Sequence, residues 1–290
     1  MRYVLYNPLA SNKNGEKKAR TINERCPNPY YEFVDITSLS DEELNEIMSD
    51  EHEVVLAGGD GTLNRFINLI GENVPEKPIY FYPSGSGNDF MRDVSGNHKE
   101  GQLIKLNDYI KHLPVIDVNG KSYRFINGAG YGIDGYSCAM VEQKMKSGKK
   151  KGSYVLEAFL GFMKNYTPGK AKITIDGVTR EYEDVWMISS MQGRYFGGGV
   201  MIAPNQDRLN EEHTVSVVVV ACKNRMRALT AFPSIFKGKH LKYTNLVYVF
   251  TGKSVSVEVD APSALQVDGD PITGVTSYTV KTYCKETQTV

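Results

Sequence analysis

Apolar and polar residues follow two different periods in the two halves of the chain. In the first 120 residues, short β-type runs alternate with helical patterns. The runs are "YVLYNP" (3–8), "YYEFVDI" (30–36), "EVVLAGGDGT" (53–62) and "PIYFYPSGSGNDF" (78–90). Between them, residues 13–25 are polar and basic and suit a helix. "SDEELNEIMS" (40–49) offers Ser40 as an N-cap with Glu43 three residues later, a capping box. "LNRFINLIG" (63–71) places Leu63, Phe66, Ile67 and Ile70 on one helical face and stops at Gly71. Strands alternating with helices predict a parallel sheet. Ligands of such sheets bind beyond the carboxyl ends of the strands, and both glycine-rich turns, GGDGT and PSGSGNDF, fall there.

The pattern changes after about residue 114. "KSYRFINGAGYGIDGY" (121–136) is rich in glycine and aromatic residues, and a basic run with Lys144, Lys146, Lys149, Lys150 and Lys151 follows. A helix is expected over 153–166. From residue 169 the chain alternates as strands do, with Asp176-Gly177 and Asp268-Gly269 as hairpin signals. The expected organisation is an α/β lobe followed by a mainly antiparallel β lobe, without a low-complexity linker or an internal repeat.

Composition narrows the function classes. The 290 residues carry 34 basic and 34 acidic side chains, a balance that argues against a dedicated nucleic-acid binder. A hydrophobic content of 41% supplies a sizeable core. Cys26, Cys138, Cys222 and Cys284 are widely spaced and predict neither a disulfide framework nor a zinc site. The N-terminal apolar run is too short for a signal-peptide core, and no stretch approaches the roughly 20 apolar residues that span a bilayer. A cytoplasmic protein is the expectation.

The chemistry concentrates in the two turns. Glycines let the backbone approach a ligand closely, and glycine-rich turns at helix starts attract anions. Asp60 is an acid in such a turn, and its charge must be offset by a metal or used in proton transfer. GGDGT is neither a Walker A loop nor a dinucleotide fingerprint. Taken alone it reads equally well as a tight turn in which Asp60 bonds its own backbone. The second turn adds Ser84, Ser86, Asn88 and Asp89. Together the turns suit a nucleoside triphosphate, with Mg²⁺ offsetting the charge of Asp60.

GGDGT followed by PSGSGNDF resembles the diacylglycerol kinase catalytic family, which includes bacterial lipid kinases and the sphingosine and ceramide kinases. Ser86 stands where that family commonly has threonine. "YNPLASNKNG" (6–15) is similar to the family's opening segment, with Asn12 in place of a glycine. The similarity continues through "VIDVNGKSYRFINGAGYGID" (115–134) and "GGGVMIAPNQDRLNEE" (197–212) to "LQVDGDPI" (265–272). The resemblance implies an N-terminal three-layer α/β nucleotide-binding lobe and a C-terminal β-sandwich lobe, with the active site in the cleft between them. It implies lobes of 1–116 and 117–275, with about 276–290 returning to the first.

By the same resemblance, Asn7, Lys13, Gly58, Gly59, Asp60, Gly61, Thr62, Ser84 and Ser86 contact the nucleotide. Asn88, Asp89 and Arg92 support the second turn. Asp117 corresponds to a carboxylate that orients hydrated Mg²⁺. Asp268 corresponds to the base for the lipid hydroxyl, a role some relatives give to the aspartate that is Asp60 here; both stay open. Asp207, Asn210 and Glu211 stand near an auxiliary Mg²⁺ site, or form a solvated acidic loop. Relatives often carry Asp-Gly where this chain has Glu211-Glu212, and some carry lysine at Glu157. The implied function is an ATP- and Mg²⁺-dependent kinase of a diacylglycerol-like lipid hydroxyl. The lysine run suits peripheral contact with an anionic membrane, and a homodimer is left open. The alternatives are a kinase of NAD or another soluble metabolite, and a non-catalytic nucleotide- or lipid-binding protein.

Overall fold

The computed structural model describes residues 2–28, 30–49, 51–85, 88–95, 102–147, 154–161, 163 and 166–283. The chain divides into two compact units, Met1–His112 and Leu113–Val290.

In the first unit, β1 (Arg2–Tyr6) leads through three short helical segments, α1 (Ala10–Lys13), α2 (Gly15–Arg20) and α3 (Ile22–Arg25), to β2 (Tyr31–Asp35). Then come α4 (Asp41–Ser49), β3 (Glu53–Gly58), α5 (Asp60–Ile70), β4 (Ile79–Pro83), α6 (Asp89–Val94), β5 (Ile104–Lys105) and α7 (Asn107–Ile110). The sheet order is β2-β1-β3-β4-β5, parallel except where β5 runs against β4. The capping box forms at α4. Ser40 N–H donates to Glu43 Oε2 at 2.8 Å, and Ser40 Oγ accepts from Glu43 N–H at 3.2 Å. Helix α5 buries the expected face of Leu63, Phe66, Ile67 and Ile70, each contributing roughly 1.5–3 kcal/mol. It begins earlier than its apolar face, at Asp60.

Side chains alternate across the sheet. Val55 and Ala57 of β3 pack with Ala19 of α2 and Ile22 of α3 on one face. Leu56 points to the other, and its register partner Phe81 meets Phe90 of α6 edge-on, with ring centroids 5.8 Å apart. Both faces are therefore covered by helices, and the strand ends carry the turns.

The second unit runs β6 (Val115–Val118), β7 (Lys121–Arg124), β8 (Gly128–Gly132), α8 (Ile133–Lys146), α9 (Tyr154–Leu160), β9 (Gly169–Ile175) and β10 (Val178–Met191). It continues with β11 (Tyr195–Phe196), β12 (Val200–Met201), β13 (Val215–Ala221), α10 (Arg225–Ala231), β14 (Val247–Gly252), β15 (Ser254–Val267) and β16 (Asp270–Lys281). Its main sheet is antiparallel and nine-stranded, in the order β14-β13-β10-β8-β15-β16-β6-β7, with β9 beside β10 and β15. The valine run of β13 is buried along its whole length. Val215, Val217 and Val219 enter one apolar cluster, and Val218 and Val220 enter another. The sheet is thus covered on both faces there. Asp176 (φ 46°) and Gly177 (φ 82°) form the two-residue turn expected of Asp-Gly. Of the segment 232–242, Ile235 and His240 are buried.

β6 pairs with β16, and the compact units divide after His112. Residues 276–281 lie in the second unit. They complete β16, and 278–281 have ladder partners on both sides, β15 and β6. Their backbone groups are therefore already satisfied within the second sheet. Residues 284–290 lie outside the described residues. α8 is also not apparent in the hydrophobic pattern. It closes on the sheet through small residues: a Cβ at Gly135 would lie 2.2 Å from the Ala264 carbonyl oxygen. Replacing Gly135 by alanine must push helix and strand apart. Urea unfolding of Gly135→Ala should show a loss of about 1–3 kcal/mol, and unchanged stability would contradict this close packing.

Candidate functional site

In the first unit, the turns after β3 and β4 touch backbone to backbone. A Cβ on Gly85 would lie 2.3 Å from Gly59 Cα, and one on Gly59 would lie 3.0 Å from Gly85 Cα. The Gly58 carbonyl accepts from the N–H groups of Ser84 (2.8 Å) and Gly85 (3.0 Å). Asp60 ties the turns more firmly. Its Oδ2 accepts from Asp89 N–H at 2.7 Å and its Oδ1 from Phe90 N–H at 3.0 Å, at the start of α6. Asn88 precedes that helix in the left-handed region (φ 36°), and its side-chain nitrogen donates to the Gly85 carbonyl at 3.0 Å. Asp89 is buried and pairs with Arg92 at 2.7 Å.

At the start of α5, the Gly59 carbonyl takes the N–H groups of Thr62 and Leu63, both at 3.0 Å. Those of Asp60 and Gly61 make no hydrogen bond among the described residues, as suits an anion-binding helix start. A Cβ at Gly61 would meet open space. Asn7 lies just beyond β1, at the same end of the sheet. Its Oδ1 accepts from Leu9 N–H at 2.9 Å, and its carbonyl oxygen lies 1.8 Å from where a Gly15 Cβ would stand. Lys13 is exposed, with φ 64°. Ser86 lies outside the described residues.

In the second unit, Asp268 (φ 48°) and Gly269 (φ 99°) form the turn between β15 and β16. The Asp268 carboxylate takes three backbone N–H groups. Oδ2 accepts from Ile126 at 2.7 Å; Oδ1 accepts from Asn127 at 2.8 Å and Gly128 at 2.9 Å. Asp268 N–H returns a bond to the Gly128 carbonyl at 3.0 Å. Arg208 braces the same segment, donating to the Ile126 carbonyl and to Asn127 Oδ1 (2.6 Å).

Residues 2–117 match the diacylglycerol kinase catalytic domain, and residues 129–283, more than half of the chain, match the YegS C-terminal NAD kinase beta sandwich-like domain. The chain belongs to the diacylglycerol kinase family. It is 23% identical over 279 residues to a diacylglycerol kinase of Mycobacterium tuberculosis, covering 92% of this chain and 87% of that protein. It is 24% identical over 232 residues to one of Staphylococcus carnosus, covering 79% and 73% respectively. Its fold matches a diacylglycerol kinase structure from Bacillus anthracis with a TM-score of 0.63 at 19% identity, over 97% of this chain and 93% of the other. This diacylglycerol kinase family member is accordingly a phosphotransferase with an alcohol acceptor and a lipid kinase-type activity. Its family implies ATP as the phosphate donor.

The expected metal residues fare differently in this family member. Asp117 is half-buried on β6, and its Oδ1 accepts from Ser122 Oγ. Its other oxygen makes no hydrogen bond or ion pair among the described residues. Mg²⁺ commonly uses one or two carboxylates, water and phosphate, so this carboxylate fits. Asn210 does not fit as a ligand. Its oxygen accepts from Thr214 N–H (2.8 Å) and its nitrogen donates to the Asp207 carbonyl (2.7 Å). Asp207 Oδ1 accepts from Leu209 N–H at 3.0 Å, and Glu211 is exposed. No cluster of three or more His, Cys, Asp or Glu that could hold a metal occurs among the described residues. Glu157, where some relatives carry lysine, is buried and paired with Lys144 of α8.

Sequence reasoning passed over Asn127, Arg208, Asp134 and Gln266. Asp134 is buried in the first turn of α8, and its Oδ2 accepts from Gln266 Nε2 at 2.9 Å. Burial pushes its carboxyl up from 3.8 to about 7, against the smaller opposing effect of that bond. Between those pH values the folded protein holds a proton that the unfolded chain has released. Stability from this group is therefore complete below about pH 4 and is lost as pH rises through 7, at roughly 1.4 kcal/mol per pH unit. Urea unfolding of Asp134→Asn and wild type at pH 5 and pH 8 checks this. The variant should gain on wild type at pH 8, whereas an equal difference at both pH values would contradict the buried acid.

Proposed function

We propose that this protein transfers the γ-phosphate of ATP, with Mg²⁺, to the hydroxyl of a diacylglycerol-like lipid. The observation that carries the reading is the pair of turns after β3 and β4. They meet backbone to backbone, and the N–H groups of Asp60 and Gly61 at the start of α5 are unspent among the described residues. Phosphoryl transfer relies on positioning and charge stabilisation, and such donors suit a triphosphate. In this reading Gly58, Gly59, Gly61, Thr62, Ser84 and Ser86 cradle the phosphates, and Asn7 and Lys13 approach from the end of β1. Asn88, Asp89 and Arg92 hold the second turn. Asp60 is assigned as a positioning residue, since its carboxylate ties the turn after β3 to the start of α6.

Asp117 would hold Mg²⁺ through water. Bound there, the ion would neutralise phosphate charge. Asp268 is the general base: the lipid hydroxyl gives it a proton as the hydroxyl oxygen attacks the γ-phosphorus and the bond to ADP breaks. Three N–H donors keep its carboxylate in one orientation, the condition that proton transfer requires.

The protein would act at a membrane surface. No helix among the described residues is long and apolar enough to cross a bilayer. α9 and its extension nevertheless expose Leu156 (52%), Phe159 (42%), Leu160 (41%) and Met163 (41%), an apolar face suited to lying on lipid. Lys149, Lys150 and Lys151 lie outside the described residues. Lys144 and Lys146 pair with Glu157 and Glu142.

Mass spectrometry of lipid products, after incubation with ATP, Mg²⁺ and vesicles of total lipid extract, tests the reading. A phosphorylated lipid is expected, with more product when anionic lipid is added to the vesicles. Asp268→Asn should lower turnover about 10²–10⁴-fold while ATP binding by calorimetry persists. NAD phosphorylation without a lipid product would overturn the lipid assignment. Full turnover by Asp268→Asn would remove Asp268 from the chemistry, and indifference to anionic lipid would remove the membrane contact.

A further inference from the structure

We propose that Asp134 is a positioning residue that fixes the Asp268–Gly269 turn through the side chain of Gln266. The kinetic consequence rests on the kinase reading above; the structural consequence does not.

Gln266 of β15 stands opposite Gly130 of β8. A Cβ at Gly130 would lie 1.7 Å from Asp134 Oδ2. Glycine at that position therefore lets the carboxylate from α8 lie over β8 and reach its neighbour strand. Gln266, itself 2% exposed, bonds at both ends. Its Nε2 donates to Asp134 Oδ2 at 2.9 Å, and its Oε1 accepts from Gly269 N–H at 2.6 Å. An amide has one donating and one accepting end, and the Asp134 oxygen in this contact is the acceptor. Asp134 thus decides which end of Gln266 faces the turn. With the amide reversed, its NH₂ would confront the Gly269 N–H, donor against donor, and the bond would be lost.

The turn is consequently pinned at two points. Asp268 is held by the N–H groups of residues 126–128 and Gly269 by Gln266. Asp268 and Gly269 both have positive φ, so freeing the Gly269 anchor would loosen the carboxylate beside it. A buried carboxylate with little compensation is costly. What this pair supplies is the orientation of a catalytic turn, where small misplacements slow reactions strongly.

Amide hydrogen exchange at Gly269 and lipid-kinase kinetics on the full chain test the pair, using Asp134→Ala, Asp134→Asn and Gln266→Met. In Asp134→Ala and Gln266→Met, Gly269 exchange should quicken and kcat should fall about tenfold or more, with the KM for ATP within about twofold. Asp134→Asn should restore both, because its amide oxygen can still accept from Gln266. The Asp134→Ala/Gln266→Met double variant should be no slower than the worse single, as expected for residues acting in one chain. Unchanged Gly269 exchange, undiminished kcat where exchange has quickened, or an asparagine variant as impaired as alanine would each overturn the proposal. If the unaltered protein phosphorylates no lipid, the kinase reading fails instead, and the exchange measurement alone then decides the positioning role.

Discussion

The Asp60 carboxylate takes two backbone N–H groups from the start of α6, and the turns at the carboxyl end of the first sheet depend on that pair of bonds. Hydrogen bonds to a charged partner contribute roughly 1.5–3 kcal/mol each. They also fix where the turn after β4 begins relative to the turn after β3. The same device recurs in the second unit. Asp268 gathers the N–H groups of residues 126–128, and Asp176 those of Lys253 and Ser254. In each case an acid between or beside glycines closes a turn that the regular ladder leaves open.

This accounts for the acid in GGDGT, a glycine-rich turn at a helix start of the kind that attracts anions. The Asp60 charge is met by the donors at the start of α6, where the helix dipole also favours an anion. The N–H groups of Asp60 and Gly61 at the start of α5 make no hydrogen bond among the described residues. In the proposed reaction, catalysis then draws on a preformed cradle, and the acceptor hydroxyl is served by the separately clamped Asp268. The close approach of Gly59 and Gly85 requires the absence of side chains at both positions.

Local features were legible in the sequence because their partners are near in the chain. The capping box of Ser40 and Glu43, the apolar face of α5 and the Asp176-Gly177 hairpin all follow from residues within one turn of each other. The parallel and antiparallel character of the two sheets followed from periodicity and turn signals. Long-range partnerships left no such trace. Gln266 looks like one polar residue in an alternating strand, yet it bonds Asp134 far away in sequence. Arg208 sits in an acidic loop and braces Asn127. α8 escaped notice because Gly135, Ser137 and Cys138 share its buried side with Ile133 and Val141, in place of a stripe of large residues. The pairing of residues 278–281 with both β15 and β6 likewise joins segments far apart in the chain.

In the proposed reaction Asp60 builds the nucleotide cradle and takes no part in proton transfer. Titration calorimetry of ATP with Asp60→Ala, alongside hydrogen exchange at the Asp89 and Phe90 amides, tests it most directly. Exchange should quicken at both amides and ATP affinity should weaken by about tenfold or more, equivalent to ~1.4 kcal/mol. Wild-type ATP affinity with protected amides, and loss of turnover alone, would contradict it.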